Sequence, residues 1–284
     1  MAPPLRLLIT VSIMIVSIAA PVFSASTGDD WLHTSGNTIV DANNNVAWLT
    51  GINWFGFEES ECVFHGLWVR DLHDTLDLIA DLGFNLIRVP IHARLIADWI
   101  DGVYPPPGSI TTSGGINEYL AGASSLEILD EAISYCDQIG LKIMFDMHSI
   151  NPHGYMDEGV WYLSDFPESK FIDCWEFLAD RYKNTDVVIA MDLSNEPHDG
   201  NAGGSAKWDN SSDPNNWKRG SQAIAAAIHA INPNLLIMVE GVQSHVDPDT
   251  PHISEKLGLT VPDWWDLTVH GTWWGGNLMG VRDW

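Results

Sequence analysis

The stretch Val187-Val188-Ile189-Ala190-Met191-Asp192-Leu193-Ser194-Asn195-Glu196-Pro197-His198 indicates the fold, because an apolar run ends abruptly in it at Asn-Glu-Pro. A short aliphatic run of this kind predicts a strand that is covered on both faces. Pro197 cannot continue the strand pairing and is expected to hold Glu196 extended. Burial at such a strand end would raise the pKa of the Glu196 carboxyl, as a general acid requires. A glutamate paired with a nearby Arg or Lys is the alternative.

A similar unit recurs along the chain, consisting of a helix with one apolar face, a short turn and an apolar strand. Apolar residues at helical spacing begin at Leu72, Leu126, Phe171 and Ile224. Strands are predicted at 47–53, 85–90, 141–147, from 187 to Glu196, and at 235–240. Strict alternation of helices and strands predicts a parallel sheet with right-handed crossovers. An entry hairpin over 31–46, with its turn at 41–45, is expected to cover the bottom of the core.

Polar or aromatic residues stand at the carboxyl end of each predicted strand, namely Asn53, Trp54, Arg88, His148, Asn195, Glu196 and Glu240. Catalytic residues converge at this edge in a barrel of parallel strands, whereas a doubly wound sheet would show a glycine-rich turn after its first strand. The first strand lacks such a turn, so we predict an α/β fold of the TIM (β/α)8 barrel type. Only about the first five βα units can be counted. The sequence therefore predicts one barrel domain, residues 25–284, that is incomplete at its C-terminus.

The first 24 residues have the pattern of a secretory signal peptide, with Arg6 before an apolar segment at 7–20. The segment is too short to span a bilayer comfortably, although an uncleaved anchor is the alternative. We therefore expect a secreted, extracellular protein. Acidic residues outnumber basic ones by 38 to 13, and a formal net charge of -25 would repel nucleic acid and anionic membranes. A neutral substrate would not be repelled.

The three cysteines are too few for a disulfide scaffold. Cys136 and Cys174 lie on successive predicted helices and form the candidate pair, with free buried thiols as the alternative. Asn210 begins an N-glycosylation sequon in a polar loop. We expect a monomer without cofactor or metal.

The polar edge has the residue types that glycoside hydrolysis needs. A proton donor such as Glu196 acts with a second carboxylate. Arg88 could hold that carboxylate ionised, while His148 and Asn195 could orient the substrate. Taken singly, these residues could instead be a salt bridge, a core histidine and a turn former.

Tryptophan is abundant, with 14 residues, and several lie in predicted loops: Trp54, Trp68, Trp161, Trp273 and Trp274. Indole rings stack on the flat faces of sugars, so Trp68 and Trp274 are the preferred candidates for substrate platforms. Core packing is the alternative for any one of them.

Several segments together resemble glycoside hydrolase family 5, and within it the secreted bacterial-type endo-β-1,4-glucanases, or cellulases. They are Trp31–Gly36, Gly51–Glu58, His65–Trp68, Ile87–Pro90, Asn195–His198, Val239–Ser244 and Trp273–Leu278. The resemblance implies an eight-stranded α/β barrel that cleaves β-glucan with retention of configuration. It implies that Glu196 is the acid/base, that Asn195 contacts the sugar and the nucleophile, that Arg88 binds the nucleophile, and that His148 supports them. Trp68, Trp274, His65 and Trp54 would bind substrate.

The sequence also departs from the family pattern. The family's nucleophilic Glu lies on its seventh strand, and this sequence ends at Trp284 before that motif; neither Glu240 nor Glu58 matches it. We therefore expect this exact chain to be weakly active or inactive and poorly stable. An inactive carbohydrate-binding remnant is the alternative. A metal-dependent hydrolase built on Asp146, His148 and His153 is disfavoured by the lack of further ligands. A serine hydrolase is disfavoured by the lack of a Gly-x-Ser-x-Gly motif.

Overall fold

The computed structural model describes residues 30–153, 157–198, 200 and 203–242, together with the backbone of two short strands farther along the chain. It opens with an antiparallel hairpin of β1 (His33–Ser35) and β2 (Thr38–Val40). A parallel sheet follows, whose five strands are β3 (Gly51–Asn53), β4 (Leu86–His92), β5 (Lys142–Ser149), β6 (Val188–Asp192) and β7 (Leu236–Met238). They lie in the sheet in chain order. Two more strands, β8 (Ser244–His245) and β9 (His270–Gly271), pair antiparallel.

The helices in the described part of the chain are α1 (Leu72–Asp81), α2 (Ala93–Ile100), α3 (Ser125–Ile139), α4 (Glu168–Arg181) and α5 (Trp217–Ile231), with a short 3-10 helix at Glu118–Leu120. Local sequence fixes several helix ends. Ser124 and Glu127 form a reciprocal capping box at the start of α3, and Gly140 ends the same helix with φ 77°. Asp71 caps α1 by accepting from the first-turn N–H groups of His73 and Asp74. Four of the five helices match the predicted apolar repeats.

The two faces of the sheet differ in chemistry because side chains alternate along each strand. One face packs against the helices and is apolar, with Ile87, Val89, Phe145 and Met191 all fully buried. The other face has a small apolar cluster at its lower end, formed by Leu32, Leu86, Ile189, Ala190 and Leu236. Leu32 comes from the entry segment, which confirms that this segment covers the bottom of the core. Polar groups occupy the upper part of this second face.

The entry segment is nevertheless built differently from the prediction. The hairpin turn lies at Gly36 and Asn37, between β1 and β2, while 41–45 forms a second turn closed by a bridge between Val40 and Val46. Asp41 stabilises this second turn by accepting from the backbone N–H groups of Asn43 and Asn45. The predicted buried strand at 47–53 is reduced to the three residues of β3. It lies at the edge of the described sheet and is largely exposed.

The strand ends also differ from the prediction. Arg88 lies in the middle of β4 and not at its end, because Pro90 does not end the strand. The Arg88 carbonyl accepts from the Trp54 N–H, and the His92 N–H donates to the Phe57 carbonyl, so both groups face the β3 side of the strand. The nitrogen of Pro90 faces that side as well, but beyond the last residue of β3, where its missing N–H removes no hydrogen bond between strands. Strand β6 ends at Asp192, four residues before Glu196. Strand β7 likewise ends at Met238, two residues before Glu240.

The structure decides between alternatives that the sequence left open for the cysteines and for Trp161. Cys136 and Cys174 do not pair, and Cys62, Cys136 and Cys174 are all free and buried. The Cys174 thiol instead contacts the carbonyl of Ala93, at the start of α2, a helix that the sequence analysis did not predict. Trp161 is fully buried and packs against Trp217, so it is a core residue rather than a sugar platform.

Some predictions fall outside the described residues. These are the signal peptide at 1–24 and the candidate platforms Trp273 and Trp274. Within the described ranges, none of the helices combines the length and the apolarity that crossing a bilayer requires.

Gly220 offers a test of how closely α5 packs on the core. An alanine normally stabilises a helix interior relative to glycine by about 1 kcal/mol. A Cβ at Gly220 would lie 2.1 Å from a ring carbon of the buried Trp161. We expect Gly220→Ala to lower the free energy of unfolding by about 1–3 kcal/mol, because the core cannot accept the added methyl. Urea unfolding measures the change.

The exposed Ala226 on the same helix provides the control, since Ala226→Gly should cost only the difference in helix propensity, about 1 kcal/mol. A Gly220→Ala protein more stable than the unmodified chain would show that α5 does not pack on Trp161 as described.

Candidate active site

Arg88 is the centre of the polar cluster on the upper part of the sheet. Its Nη1 lies 2.9 Å from Asp146 Oδ2, and its Nη2 lies 2.8 Å from Asp192 Oδ2. The same Nη2 also donates to Asn195 Oδ1 at 3.1 Å and to Glu240 Oε1 at 3.3 Å. One guanidinium thus joins β4, β5, β6 and the segments that follow β6 and β7. Such a planar group with several donors can fix these acceptors in one arrangement.

The register of the sheet explains why these groups meet. Asp146 on β5 pairs directly with Asp192 on β6, so both side chains lie on the same face. Arg88 pairs with Met144, one step lower on that face, and its side chain reaches up to both carboxylates. Asp146 is fully buried and Asp192 is 4 % exposed. Burial raises the pKa of Asp192 well above its ordinary value of 3.8, and the charges of Asp146 and Glu240 raise it further despite Arg88.

His148 is held by the same carboxylate that binds Arg88. Its Nδ1 lies 2.7 Å from Asp146 Oδ2. Burial would lower the pKa of His148, but the hydrogen bond and the charge of Asp146 outweigh it and raise the pKa above the ordinary 6.5. Asp146 therefore orients the imidazole and favours its protonated form.

Asn195 and Glu196 lie in a loop beyond β6 and not on the strand. The Asn195 N–H donates to Met147 O on β5 at 3.0 Å, and its side-chain oxygen accepts from Arg88. Glu196 has φ 43°, in the left-handed region, so the prediction of an extended backbone before Pro197 is wrong. Glu196 is also only partly buried, because the strand has already ended.

Two further glutamates lie near this cluster. Glu240 accepts from the backbone N–H of Glu196 at 2.9 Å, and burial raises its pKa, while that hydrogen bond and Arg88 lower it in part. Glu58 is 5 % exposed and accepts from the N–H of Gly56 at 2.6 Å. Burial also raises the pKa of Glu58. The cluster therefore holds more carboxylates than positive charges.

Aromatic side chains form a shelf beside the polar cluster, defined here by Trp54, Phe55, His65 and Trp68. The Trp54 indole donates to His65 O at 2.9 Å, which ties together the two loops of the shelf. The His65 ring stacks on Phe55 with centroids 4.1 Å apart and meets Trp68 edge-on at 4.4 Å. Phe55 and Trp68 are exposed. The shelf thus presents apolar ring surface to solvent.

The structure brings together most of the site residues that the sequence analysis selected. Arg88, His148, Asn195 and Glu196 share one hydrogen-bonded cluster, and Trp54, His65 and Trp68 share the shelf. Trp274 lies outside the described residues. Asp192, Phe55 and His198 were not predicted as site residues, and Asp146 was considered only as a metal ligand. Asp146 and Asp192 could have been identified from the sequence, because each is a charged residue inside an otherwise aliphatic strand.

Metal chemistry finds no support in the part of the chain that the structure describes. Asp146 uses its Oδ2 for both Arg88 and His148, and a guanidinium beside that oxygen would repel a cation. The described residues contain no group of three or more His, Cys, Asp or Glu side chains arranged to hold a metal ion.

Comparison with known proteins places this arrangement in a family. The family model "Cellulase (glycosyl hydrolase family 5)" matches residues 40–283. The chain belongs to this family. Its sheet and helices are accordingly the α/β architecture of the TIM-barrel type found in its structural neighbours.

Individual relatives agree with the family assignment. The chain is 40% identical to endoglucanase G of Acetivibrio thermocellus over 289 residues, which cover 91% of this chain and 50% of the relative. It is 33% identical to the major extracellular endoglucanase of Xanthomonas campestris pv. campestris over 261 residues, covering 92% and 46%. The chain thus spans about half the length of the curated relatives it matches.

Solved structures show the same similarity. A variant of an endocellulase from Pyrococcus horikoshii in complex with cellotetraose superposes with a TM-score of 0.73 at 30% identity, covering 90% of this chain and 65% of that one. The catalytic domain of the Xanthomonas campestris enzyme gives a TM-score of 0.68 at 30% identity, covering 82% and 66%.

The raised pKa values predict how stability depends on pH. A group whose folded pKa is raised stabilises the fold while it is protonated, and this contribution is lost as pH rises from the unfolded value through the folded one. For Asp192 the loss begins near 3.8, and for His148 it begins near 6.5. We therefore expect the free energy of unfolding to fall as pH rises from about 4 into the neutral range.

Asp192→Asn isolates the contribution of this carboxyl from the general effect of net charge. The amide cannot ionise, so the variant should show a shallower decline in stability than the unmodified chain. Urea unfolding at several pH values measures both slopes. An unchanged slope would mean that Asp192 titrates alike in the folded and unfolded chains.

Proposed function

We propose that this chain supplies the acid/base part of a retaining endo-β-1,4-glucanase active site, with Glu196 as the acid/base. One observation carries the proposal: Asn195, Arg88, His148 and the Glu196 backbone meet in a single hydrogen-bonded cluster beside an exposed aromatic shelf. A cluster of polar groups next to flat ring surface suits a substrate that is neutral, hydroxylated and apolar on its ring faces.

In this proposal the shelf binds glucosyl rings and the polar cluster carries out the chemistry. Trp68 offers a ring face to the sugar, and Trp54 and His65 support it from below. Glu196 donates a proton to the glycosidic oxygen as the bond to the anomeric carbon breaks, and later accepts a proton from the attacking water. Asn195 directly precedes Glu196 in the chain, and its role in this proposal is to bind a sugar hydroxyl beside the proton donor.

The second carboxylate of a retaining mechanism is the nucleophile. The described glutamates and aspartates around Arg88 already have other roles: Asp146 and Asp192 are buried beneath the guanidinium, and Glu240 binds the Glu196 N–H. Glu58 is almost fully buried. We infer that the nucleophile is not among the described residues, that the five described βα units form part of a (β/α)8 barrel, and that this exact chain hydrolyses glucan weakly or not at all.

The expected location follows from the same proposal. Polymeric β-glucan lies outside the cell, and the Xanthomonas campestris relative is named as an extracellular endoglucanase. A signal peptide at 1–24, followed by a secreted domain from residue 25, would deliver the chain to that substrate.

The first test of the proposal removes the proton donor. Glu196→Gln keeps the size of the side chain but cannot transfer a proton, so hydrolysis of carboxymethyl cellulose should fall roughly 100- to 10,000-fold. The assay uses this chain and, in parallel, the longest polypeptide that its gene encodes. Glu168→Gln is the matched control, because Glu168 also binds an arginine and an indole N–H, but away from this cluster.

Three outcomes separate the alternatives. Loss of hydrolysis in Glu196→Gln with activity kept in Glu168→Gln supports the acid/base role. Equal activity of Glu196→Gln and the unmodified protein would contradict it. Binding of cellotetraose without hydrolysis by either polypeptide would favour the carbohydrate-binding remnant.

The second test removes the platform. Trp68→Ala should weaken the binding of cellotetraose about tenfold, since a stacked aromatic contact contributes about 1 kcal/mol beyond the area it buries. Isothermal titration calorimetry measures the affinity and does not depend on catalysis. Trp48→Ala is the control, because Trp48 is even more exposed but lies at the opposite end of β3. Equal losses in both variants would rule out a specific platform.

A further inference from the structure

The backbone of Glu196 is held in an unusual conformation. Its φ of 43° lies in the left-handed region, which costs a side-chain-bearing residue of order 1–3 kcal/mol. The following proline favours an extended conformation at this position instead. Additional interactions must therefore stabilise the observed backbone.

Two side chains from different segments bind the two backbone polar groups of Glu196. The N–H donates to Glu240 Oε2 at 2.9 Å. The carbonyl lies 2.6 Å from His198 Nδ1, and because a carbonyl can only accept, this nitrogen carries the proton. The second contact is short, and the first is assisted by the charge of the carboxylate.

Both side chains are themselves fixed by their surroundings. The Glu240 carboxylate also contacts Arg88, and the Glu240 carbonyl accepts from the Trp217 indole at 2.8 Å. The N–H of His198 donates to Gly159 O at 3.0 Å. A Cβ at Gly159 would lie only 2.2 Å from the His198 carbonyl oxygen, so the two backbones are in close contact. The Glu240 carboxylate and the His198 backbone are thus each held by a contact other than the one to Glu196.

We propose that Glu240 and His198 are positioning residues for Glu196, which they hold in its left-handed backbone so that the side chain is placed for proton transfer. The inference rests on the proposed role of Glu196 as acid/base. Glu240 and His198 act only through Glu196 and need not touch the sugar. Their loss should therefore affect proton donation more than substrate binding.

Leaving-group dependence tests this proposal, because 2,4-dinitrophenolate departs without protonation and a glucosyl group does not. The test compares kcat/KM for 2,4-dinitrophenyl β-cellobioside and for cellotetraose, using the longest polypeptide that the gene encodes. We expect Glu240→Ala and His198→Ala to lose roughly ten- to a hundredfold on cellotetraose and little on the aryl cellobioside. His198→Asn places an amide N–H near the position of Nδ1 and should restore part of the loss. Equal losses on both substrates would overturn the proposal.

A second measurement does not require activity. Hydrogen exchange of the Glu196 amide, followed by NMR, should accelerate roughly ten- to a hundredfold in Glu240→Ala, and less in Glu240→Gln, which keeps an acceptor oxygen. Glu168→Ala is the control and should leave that amide unchanged. An unchanged exchange rate in Glu240→Ala would overturn the clamp. If the unmodified protein cleaves neither substrate, the proposed function fails, while the exchange rates still decide whether the clamp exists.

Discussion

The arrangement of the site depends on the buried guanidinium of Arg88. It lies on the central part of the sheet and binds acceptors from β5, from β6 and from the segments that follow β6 and β7. Removing one member of such a buried pair leaves an uncompensated charge and costs about 3–5 kcal/mol, more than most single contacts. Replacing the whole ion pair with two apolar side chains of equal size, in contrast, could leave the free energy of unfolding unchanged. The network is therefore better explained by the geometry that it imposes on Asn195 and Glu240 than by stability.

That geometry is possible because the two faces of the sheet differ in chemistry. The face toward the helices buries a continuous apolar layer, which supplies most of the hydrophobic stabilisation. The other face is apolar only at its lower end, where Leu32 and Leu236 contribute to a small cluster. Its upper end can accommodate Asp146 and Asp192 because each carboxylate shares the same cation. A single-residue slip of β5 or of β6 would turn its carboxylate into the helix-facing core, so the site and the register depend on each other.

The sequence allowed the order of the elements and the chemistry of the site to be predicted, but not the local backbone. Apolar periodicity located four helices and the five parallel strands, since it depends only on which residues must be buried. The end of β4 was wrong because Pro90 was taken as a terminator, although its missing N–H faces a side where β3 has already ended. The prediction for Glu196 failed for a related reason. The local preference of a residue before proline was overridden by a contact with Glu240, which the tertiary fold brings close, and by a second contact with the nearby His198.

The balance of charge in the site has a further consequence. Asp146, Asp192, Glu240 and Glu58 surround one permanent cation, Arg88, and a histidine that is positively charged only when protonated. Burial raises the pKa of Asp192, Glu240 and Glu58, and repulsion by neighbouring carboxylates of the site raises it further for Asp192 and Glu240. The site is therefore best neutralised when it retains protons. Among the described residues, Asp192 Oδ1 is buried without a hydrogen-bond partner, and a proton retained by Asp192 would reside on this atom. A chain with a net charge of -25 gains from acidification for the same electrostatic reason. The charge of the whole molecule and that of its site therefore both favour greater stability on the acidic side of neutrality.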